Sequence, residues 1–104
     1  MRKLGREEQA LPYFKAVAER DPRSAAALLN LGTSLVALGR ASEAIPCLRS
    51  CVALVPRQAQ PHLQLGLALE MGGARLAAAS EFRRVLALAP GNGQAAARLK
   101  ALEE

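Results

Sequence analysis

A period of 34 residues is the feature that most constrains how this chain folds. When residues 25–58 are aligned with residues 59–92, eleven of the 34 aligned pairs are identical. The identical pairs are Ala25/Ala59, Leu29/Leu63, Leu31/Leu65, Gly32/Gly66, Leu35/Leu69, Gly39/Gly73, Ala44/Ala78, Arg49/Arg83, Ala53/Ala87, Leu54/Leu88 and Pro56/Pro90. A repeat of this length indicates a supersecondary unit that stacks on copies of itself, because one unit cannot bury its apolar face alone.

Each copy contains two apolar stripes at the three- and four-residue spacing of a helix. Ala and Leu supply most of the apolar residues, whereas Val and Ile are sparse, and this composition favours helices over strands. Gly39 follows the first stripe and suits the left-handed end of a helix, and Pro56 closes the second. The pattern predicts an all-α protein with helices near 7–20, 25–38, 42–55, 59–71, 76–89 and 94–103.

The same register continues toward the start of the chain. The segment Leu4-Gly5-Arg6 aligns with Leu38-Gly39-Arg40, and Pro12 aligns with Pro46, near the predicted start of a second-type helix. One domain is therefore expected, with a partial repeat at 1–24 that holds a second helix only, full repeats at 25–58 and 59–92, and a capping helix at 93–104. Two explanations for the partial repeat stay open: the chain is a fragment of a longer array, or another element covers the exposed helix face.

The repeat resembles the tetratricopeptide repeat family. Its motif reads here Leu28-x2-Leu31-Gly32-x2-Leu35, Ala44-x3-Leu48 and Pro56, and the next copy reads His62-x2-Leu65-Gly66-x2-Leu69, Ala78-x3-Phe82 and Pro90. The departures are leucine in place of tyrosine at Leu35 and Leu69, and His62 in place of an aromatic residue. The resemblance implies a right-handed α-solenoid of stacked antiparallel helix hairpins that serves as a protein–protein interaction scaffold.

A second apolar stripe on each first-type helix indicates where a partner binds. Leu29, Thr33 and Val36 form it on one helix, about 110° from the core stripe. By the resemblance, this stripe lines a concave groove that accepts a partner helix or an apolar peptide. The predicted groove residues are Leu29, Asn30, Thr33, Val36, Leu63, Gln64, Leu67, Glu70, Met71 and Arg98. Leu63 and Leu67 are expected to be unnecessary for the hairpin core, unless the next helix in the stack covers part of the stripe.

Some family members hold C-terminal carboxylates with paired Lys or Arg and Asn side chains. Asn30 stands at one such place, but Arg98 alone does not make this clamp. We therefore expect an apolar partner rather than a carboxylate.

No residue pattern indicates catalysis, a metal or a cofactor. Cys47 and Cys51 are four residues apart and His62 is the single histidine, which is too few ligands for a zinc site. His62 has no Asp or Glu close in sequence that would form a catalytic dyad, and it is expected to pack near a helix start. The protein is expected not to be an enzyme and to need no cofactor.

The formal charge is +5, from 14 Lys and Arg against nine Asp and Glu. The arginines are dispersed along the chain, and few aromatic residues are present to stack on bases, so nucleic-acid binding is the less favoured alternative. No segment has the apolar length of a membrane span or a signal peptide, and a cytoplasmic location is expected.

Self-association is the remaining expectation. Leu4, Leu11 and Phe14 on the first helix are expected to lie uncovered, and burial of such side chains favours a homo-oligomer. This feature supports an alternative function, a self-assembling structural segment of a larger repeat array.

Overall fold

The fold was obtained as a computed structural model that describes the backbone of residues 3–104 and the side chains of residues 5–104. Six α-helices follow one another: α1 Lys3–Arg20, α2 Ala25–Ala37, α3 Ala41–Leu54, α4 Ala59–Met71, α5 Arg75–Leu88 and α6 Gly93–Glu103. Helices α2 to α6 begin and end within one residue of the predicted bounds, and residues 3–104 contain no strand. The all-α prediction is confirmed.

The helices pack mainly on their neighbours in the chain. The most extensive contacts join α4 to α5 and α2 to α3, and these two pairs are the helical hairpins of the full repeats. The second helix of each repeat then packs on the first helix of the next, so α1 contacts α2, α3 contacts α4 and α5 contacts α6. This order gives an elongated stack of 38 × 31 × 22 Å.

A glycine lies at the helix crossing of each hairpin because a large buried side chain occupies the space opposite it. A Cβ atom built on Gly32 would lie 2.5 Å from Leu48 Cγ, and one built on Gly66 would lie 2.7 Å from Phe82 Cε1. Both distances are too short for van der Waals contact, and Leu48 and Phe82 are fully buried. The two glycines of the repeat are therefore required by helix–helix packing.

The turns inside the two hairpins also need glycine, for a different reason. Gly39 and Gly73 have φ values of 75° and 85°, in the left-handed region that side chains with a Cβ rarely adopt. The amides of the following residues then donate to carbonyl groups of the preceding helix, Arg40 N to Leu35 O at 2.8 Å and Ala74 N to Leu69 O at 2.9 Å. The predicted left-handed helix end at Gly39 is confirmed.

The start of α1 differs from the sequence prediction. Gly5 aligns with Gly39, but α1 begins at Lys3 and continues through Gly5, which is therefore helical. Glycine adopts the right-handed helical conformation as readily as the left-handed one, so its presence alone does not specify a turn. Pro12 consequently lies in the middle of α1 rather than near a helix start, and its ring leaves one helical hydrogen bond unmade.

His62 joins three segments of the chain, a set of contacts that its position in the sequence does not reveal. The ring is buried, with Nδ1 2.7 Å from Glu81 Oε1 on α5 and Nε2 2.8 Å from the carbonyl oxygen of Pro56. A carbonyl only accepts hydrogen bonds, so Nε2 carries a proton and donates it to Pro56, while Nδ1 faces the Glu81 carboxylate. The sequence offers no acidic residue close to His62, and Glu81, 19 residues away, becomes its partner only because α5 packs beside α4.

The crossing at Gly32 leads to a stability prediction. Gly32→Leu should lower the free energy of unfolding by about 2 kcal/mol or more, because the new side chain overlaps Leu48. Gly93→Leu is the matched control, because nothing lies within 4 Å of the Cβ position at Gly93. Urea unfolding followed by circular dichroism measures both variants, and equal midpoints would contradict the assigned crossing.

The His62–Glu81 pair leads to a second stability prediction. His62→Leu, which introduces the residue found at the equivalent Leu28, should cost about 1–3 kcal/mol because it leaves the Pro56 carbonyl and the Glu81 carboxylate without their partner. The double variant His62→Leu, Glu81→Ala should lose about 1 kcal/mol less unfolding free energy than the two single variants lose in sum, which a double-mutant cycle measures. The same cycle on the exposed pair Arg83–Glu103 is the control and should give a smaller coupling. Additive losses at His62 and Glu81 would show that the two side chains do not interact.

Candidate protein-binding face

The predicted groove residues lie on α2, α4 and α6, the first-type helices of the stack. Helix α2 contacts α4, and an ion pair between Glu70 and Arg98 joins α4 to α6. We call this surface the α2–α4–α6 face and define it by the ten predicted groove residues. The 34-residue period arranges them in rows across the helices, because residues at equivalent positions face the same direction. The rows are Leu29/Leu63, Asn30/Gln64/Arg98, Thr33/Leu67 and Val36/Glu70.

The apolar part of this face is partly exposed. Leu29, Val36 and Leu67 are half-buried and pack against the core from one side. Met71, at the end of α4, is 47% exposed. These side chains therefore present apolar surface to solvent while their inner edges are held by the core, which is a suitable arrangement for binding another apolar surface.

Leu63 is an exception, and the prediction made for it is wrong. Its side chain is only 3% exposed and belongs to the main core cluster, although its repeat equivalent Leu29 is half-buried. Helix α2 packs alongside α4, so part of the second stripe is covered within the stack. The expectation that Leu63 could be replaced without loss of the fold therefore fails, whereas Leu67 keeps an exposed side.

The charged residues of this face neutralise each other. Arg98 donates from Nε to Glu70 Oε1 at 3.0 Å and from Nη2 to Glu70 Oε2, a bidentate pair between α6 and α4. The hydrogen bonds to Glu70 raise the pKa of Arg98 above its ordinary value. The sequence placed Arg98 and Glu70 on the same face, but their pairing depends on how α6 packs. Because Arg98 already has a carboxylate partner, this face does not offer a free cation at that point.

A cleft lies away from the ten predicted residues. It has a volume of about 420 Å³, with Ala18, Leu31 and Leu35 among its apolar lining residues. Its charged lining residues include Lys15 of α1 and Glu43 of α3, whose Nζ and Oε1 atoms are 4.0 Å apart. Glu43 also accepts hydrogen bonds from Arg40, and this interaction lowers the pKa of Glu43. Lys15 and Glu43 beside this cleft are therefore also paired.

The residues expected to mediate self-association behave differently from one another. Leu11 is 5% exposed and belongs to the main core, so the expectation that it lies uncovered is wrong. Its side chain lies on the side of α1 that packs against the other helices. The side chain of Leu4 lies outside the described residues. Phe14 is partly exposed, and the neighbouring Tyr13 is 68% exposed, with ring centroids 5.8 Å apart.

The cysteines and the histidine have structural hydrogen bonds. Cys47 Sγ donates to the carbonyl oxygen of Leu28 at 3.2 Å and Cys51 Sγ to that of Ala25 at 3.3 Å, so both thiols tie α3 to α2. Burial raises the pKa of the Cys47 thiol to about 11 and raises that of Cys51 as well, which disfavours thiolate chemistry. Both ring nitrogens of His62 are also engaged. Among the described residues, no three His, Cys, Asp or Glu side chains are grouped to hold a metal ion.

Several arginines of the basic surface are used to hold helices together. Arg75 Nη2 donates to the carbonyl oxygen of Leu102 at 2.8 Å, and Arg83 pairs with Glu103 at 3.0 Å, so both fasten α6 to α5. Arg40 and Arg98 have the carboxylate partners described above.

In the part of the chain that the structure describes, no helix combines the length and apolar character needed to cross a membrane.

Solved structures with the same architecture are numerous. The second tetratricopeptide domain of human RPAP3, in complex with the HSP70 peptide SGPTIEEVD, has a TM-score of 0.89 at 23% identity over 96% of this chain and 83% of that chain. The first such domain of Spaghetti (RPAP3), bound to the HSP90 peptide SRMEEVD, has a TM-score of 0.91 at 22% identity over 97% of this chain and 80% of that chain. At these identities the likeness establishes the fold alone, and it confirms the predicted right-handed solenoid.

MamA is similar at 28% identity, with a TM-score of 0.89 over 94% of this chain, which spans 57% of the MamA chain. Among curated proteins no relative matches the chain. The family model described as tetratricopeptide repeat matches residues 1–64, more than half of the sequence. Together with the glycine crossings and the 34-residue period, this match confirms the resemblance seen in the sequence. The chain belongs to the tetratricopeptide repeat family.

Proposed function

We propose that the chain is a protein-binding module that holds an amphipathic helix or an extended apolar peptide on the α2–α4–α6 face. The observation that carries the proposal is the group of apolar side chains left partly exposed on this face, Leu29, Val36, Leu67 and Met71. A hairpin core needs only one stripe per helix, so these residues offer apolar area beyond what the stack itself buries. Exposed apolar area grouped on one face of a small domain commonly marks an interaction site.

The polar side chains beside these residues favour a partner that is uncharged and that offers backbone groups for hydrogen bonding. Asn30 is exposed and Gln64 is half-buried, and both side chains donate and accept hydrogen bonds. They lie next to the apolar residues on the same two helices. A peptide placed along the face could bury its apolar side chains against Leu67 and Met71 while its polar groups meet the two amides.

An acidic C-terminal peptide is the less favoured ligand. The two RPAP3 domains are bound to peptides that both end in Glu-Glu-Val-Asp. Recognition of such peptides needs unneutralised cations, whereas Arg98 is held by Glu70. Support for a protein partner thus comes from the family, and the choice of an apolar partner comes from the residues of this chain.

Selection from a random peptide library displayed on phage tests this proposal. Enriched peptides should contain apolar residues at helical or alternating spacing and should bind the protein in fluorescence anisotropy. Leu67→Glu combined with Met71→Glu should weaken binding by about tenfold or more, because two charges then oppose apolar contact without altering a fully buried position. Circular dichroism should show unchanged helicity.

Leu76→Glu combined with Arg84→Glu is the matched control, because both residues are exposed on α5, outside the α2–α4–α6 face. It also adds negative charge, so it separates a general charge effect from a local one. Binding should survive in this control. Enrichment of peptides with acidic C-termini, or equal loss of affinity in both double variants, would contradict the proposed site.

A further inference from the structure

Asn92 and Gly93 lie where the turn after α5 meets the start of α6. When glycine follows asparagine, the amide nitrogen of the glycine can attack Cγ of the asparagine side chain, because the glycine has no Cβ atom to obstruct the approach. The chain has one other asparagine, Asn30, which is followed by Leu31 in the middle of α2. There a branched side chain and helical hydrogen bonds oppose the same attack. Asn92 is therefore the asparagine whose sequence favours this chemistry.

The groups that react are accessible to solvent. Asn92 is half-buried and Gly93 is exposed, and nothing lies within 4 Å of the Cβ position at Gly93. Gly93 is the first residue of α6, and the first amides of a helix have no carbonyl partner one turn earlier. The attacking nitrogen is therefore not engaged by the helix, and water can reach the site.

The first turn of α6 nevertheless holds Asn92 in a conformation that opposes the attack. Asn92 Oδ1 accepts a hydrogen bond from Ala95 N at 2.8 Å, and the carbonyl oxygen of Asn92 accepts one from Ala96 N at 3.2 Å. With ψ of 102°, the nitrogen of Gly93 points away from the Asn92 side chain about the Cα–C bond. Ring closure needs a rotation about this bond, which breaks both hydrogen bonds. The reaction therefore requires that the start of α6 opens.

We propose that Asn92 is a site of spontaneous deamidation whose rate is controlled by the first turn of α6. The nitrogen of Gly93 forms a bond to Asn92 Cγ, and the bond from Cγ to the side-chain nitrogen breaks. That nitrogen leaves as ammonia together with the amide hydrogen of Gly93, and a cyclic succinimide remains. Water then opens one of the two ring carbonyls, which gives aspartate or isoaspartate without any oxidant or reductant.

The two products act differently on α6. Aspartate at this position still accepts the hydrogen bond from Ala95 N, and its charge is favourable at a helix N-terminus. Isoaspartate continues the backbone through Cβ and Cγ, so the backbone gains one carbon atom and the cap at Asn92 is lost. Helix α6 carries Arg98, whose pair with Glu70 joins α6 to α4. Isoaspartate therefore weakens the attachment of α6 to the stack.

Peptide mapping by mass spectrometry, after the intact chain is aged at mildly alkaline pH, measures the reaction at both asparagines. A synthetic peptide with the sequence of residues 88–97 gives the rate without the fold. Deamidation should be found at Asn92 and not at Asn30. It should be about tenfold or more slower in the folded chain than in the peptide, because the capped turn must open first.

Variants test the control by α6. Ala95→Gly should accelerate the reaction in the folded chain by about fivefold or more, because it removes a fully buried methyl group from the first turn and keeps the capping amide. Ala77→Gly is the matched control, since Ala77 is exposed on α5, and it should leave the rate unchanged. Arg98→Ala, which loosens α6 away from the site, should also accelerate the reaction, and circular dichroism should show that all three variants stay folded.

Equal rates in the folded chain and the peptide would overturn the proposal, because the fold would then exert no control. Equal acceleration by Ala95→Gly and Ala77→Gly would do the same, and so would an unreactive peptide. The variant Gly93→Ala should slow the reaction in the peptide, because a Cβ atom then obstructs the attacking nitrogen.

Discussion

The stack depends on the close passage of a glycine over a large buried side chain. Gly32 passes over Leu48 and Gly66 over Phe82, at distances that leave no room for a Cβ atom. Ala44 and Ala78, on the second helix of each hairpin, are fully buried. Each hairpin is thus a tightly packed unit, and the apolar side chains that remain are available to the next helix in the stack.

This packing also determines which side chains reach the surface. The core stripe of each first-type helix is buried inside its hairpin. The second stripe therefore supplies the side chains of the α2–α4–α6 face. Its apolar residues are partly covered, fully so at Leu63, and its charged residues Glu70 and Arg98 are paired across α4 and α6. This combination favours contact with an apolar partner and opposes recognition by free charge, which is the basis of the proposed function.

Equivalent positions of the repeat keep the same contact with different chemistry. Where Cys47 donates a thiol hydrogen bond to the backbone of α2, Glu81 pairs with the His62 ring of α4, and Tyr13 occupies the same position on α1. Apolar positions vary less, because the space over a crossing glycine accepts only a side chain of suitable shape. The polar contact beside the crossing therefore differs between the two hairpins.

The sequence by itself determined the all-α hairpin stack, the bounds of α2 to α6 and the two crossing glycines, because a 34-residue period constrains every copy at once. It also predicted which helices form the α2–α4–α6 face, since helical spacing places Leu29, Leu67 and Met71 on one side. Only the tertiary structure decided which of these side chains are accessible: Leu63 and Leu11 are buried because a neighbouring helix covers them, which depends on the distance between helices and not on spacing within one. The partners of His62 and Arg98 were decided at the same level, because Glu81 and Glu70 lie on other helices, 19 and 28 residues away in sequence, and only packing brings them within hydrogen-bonding distance.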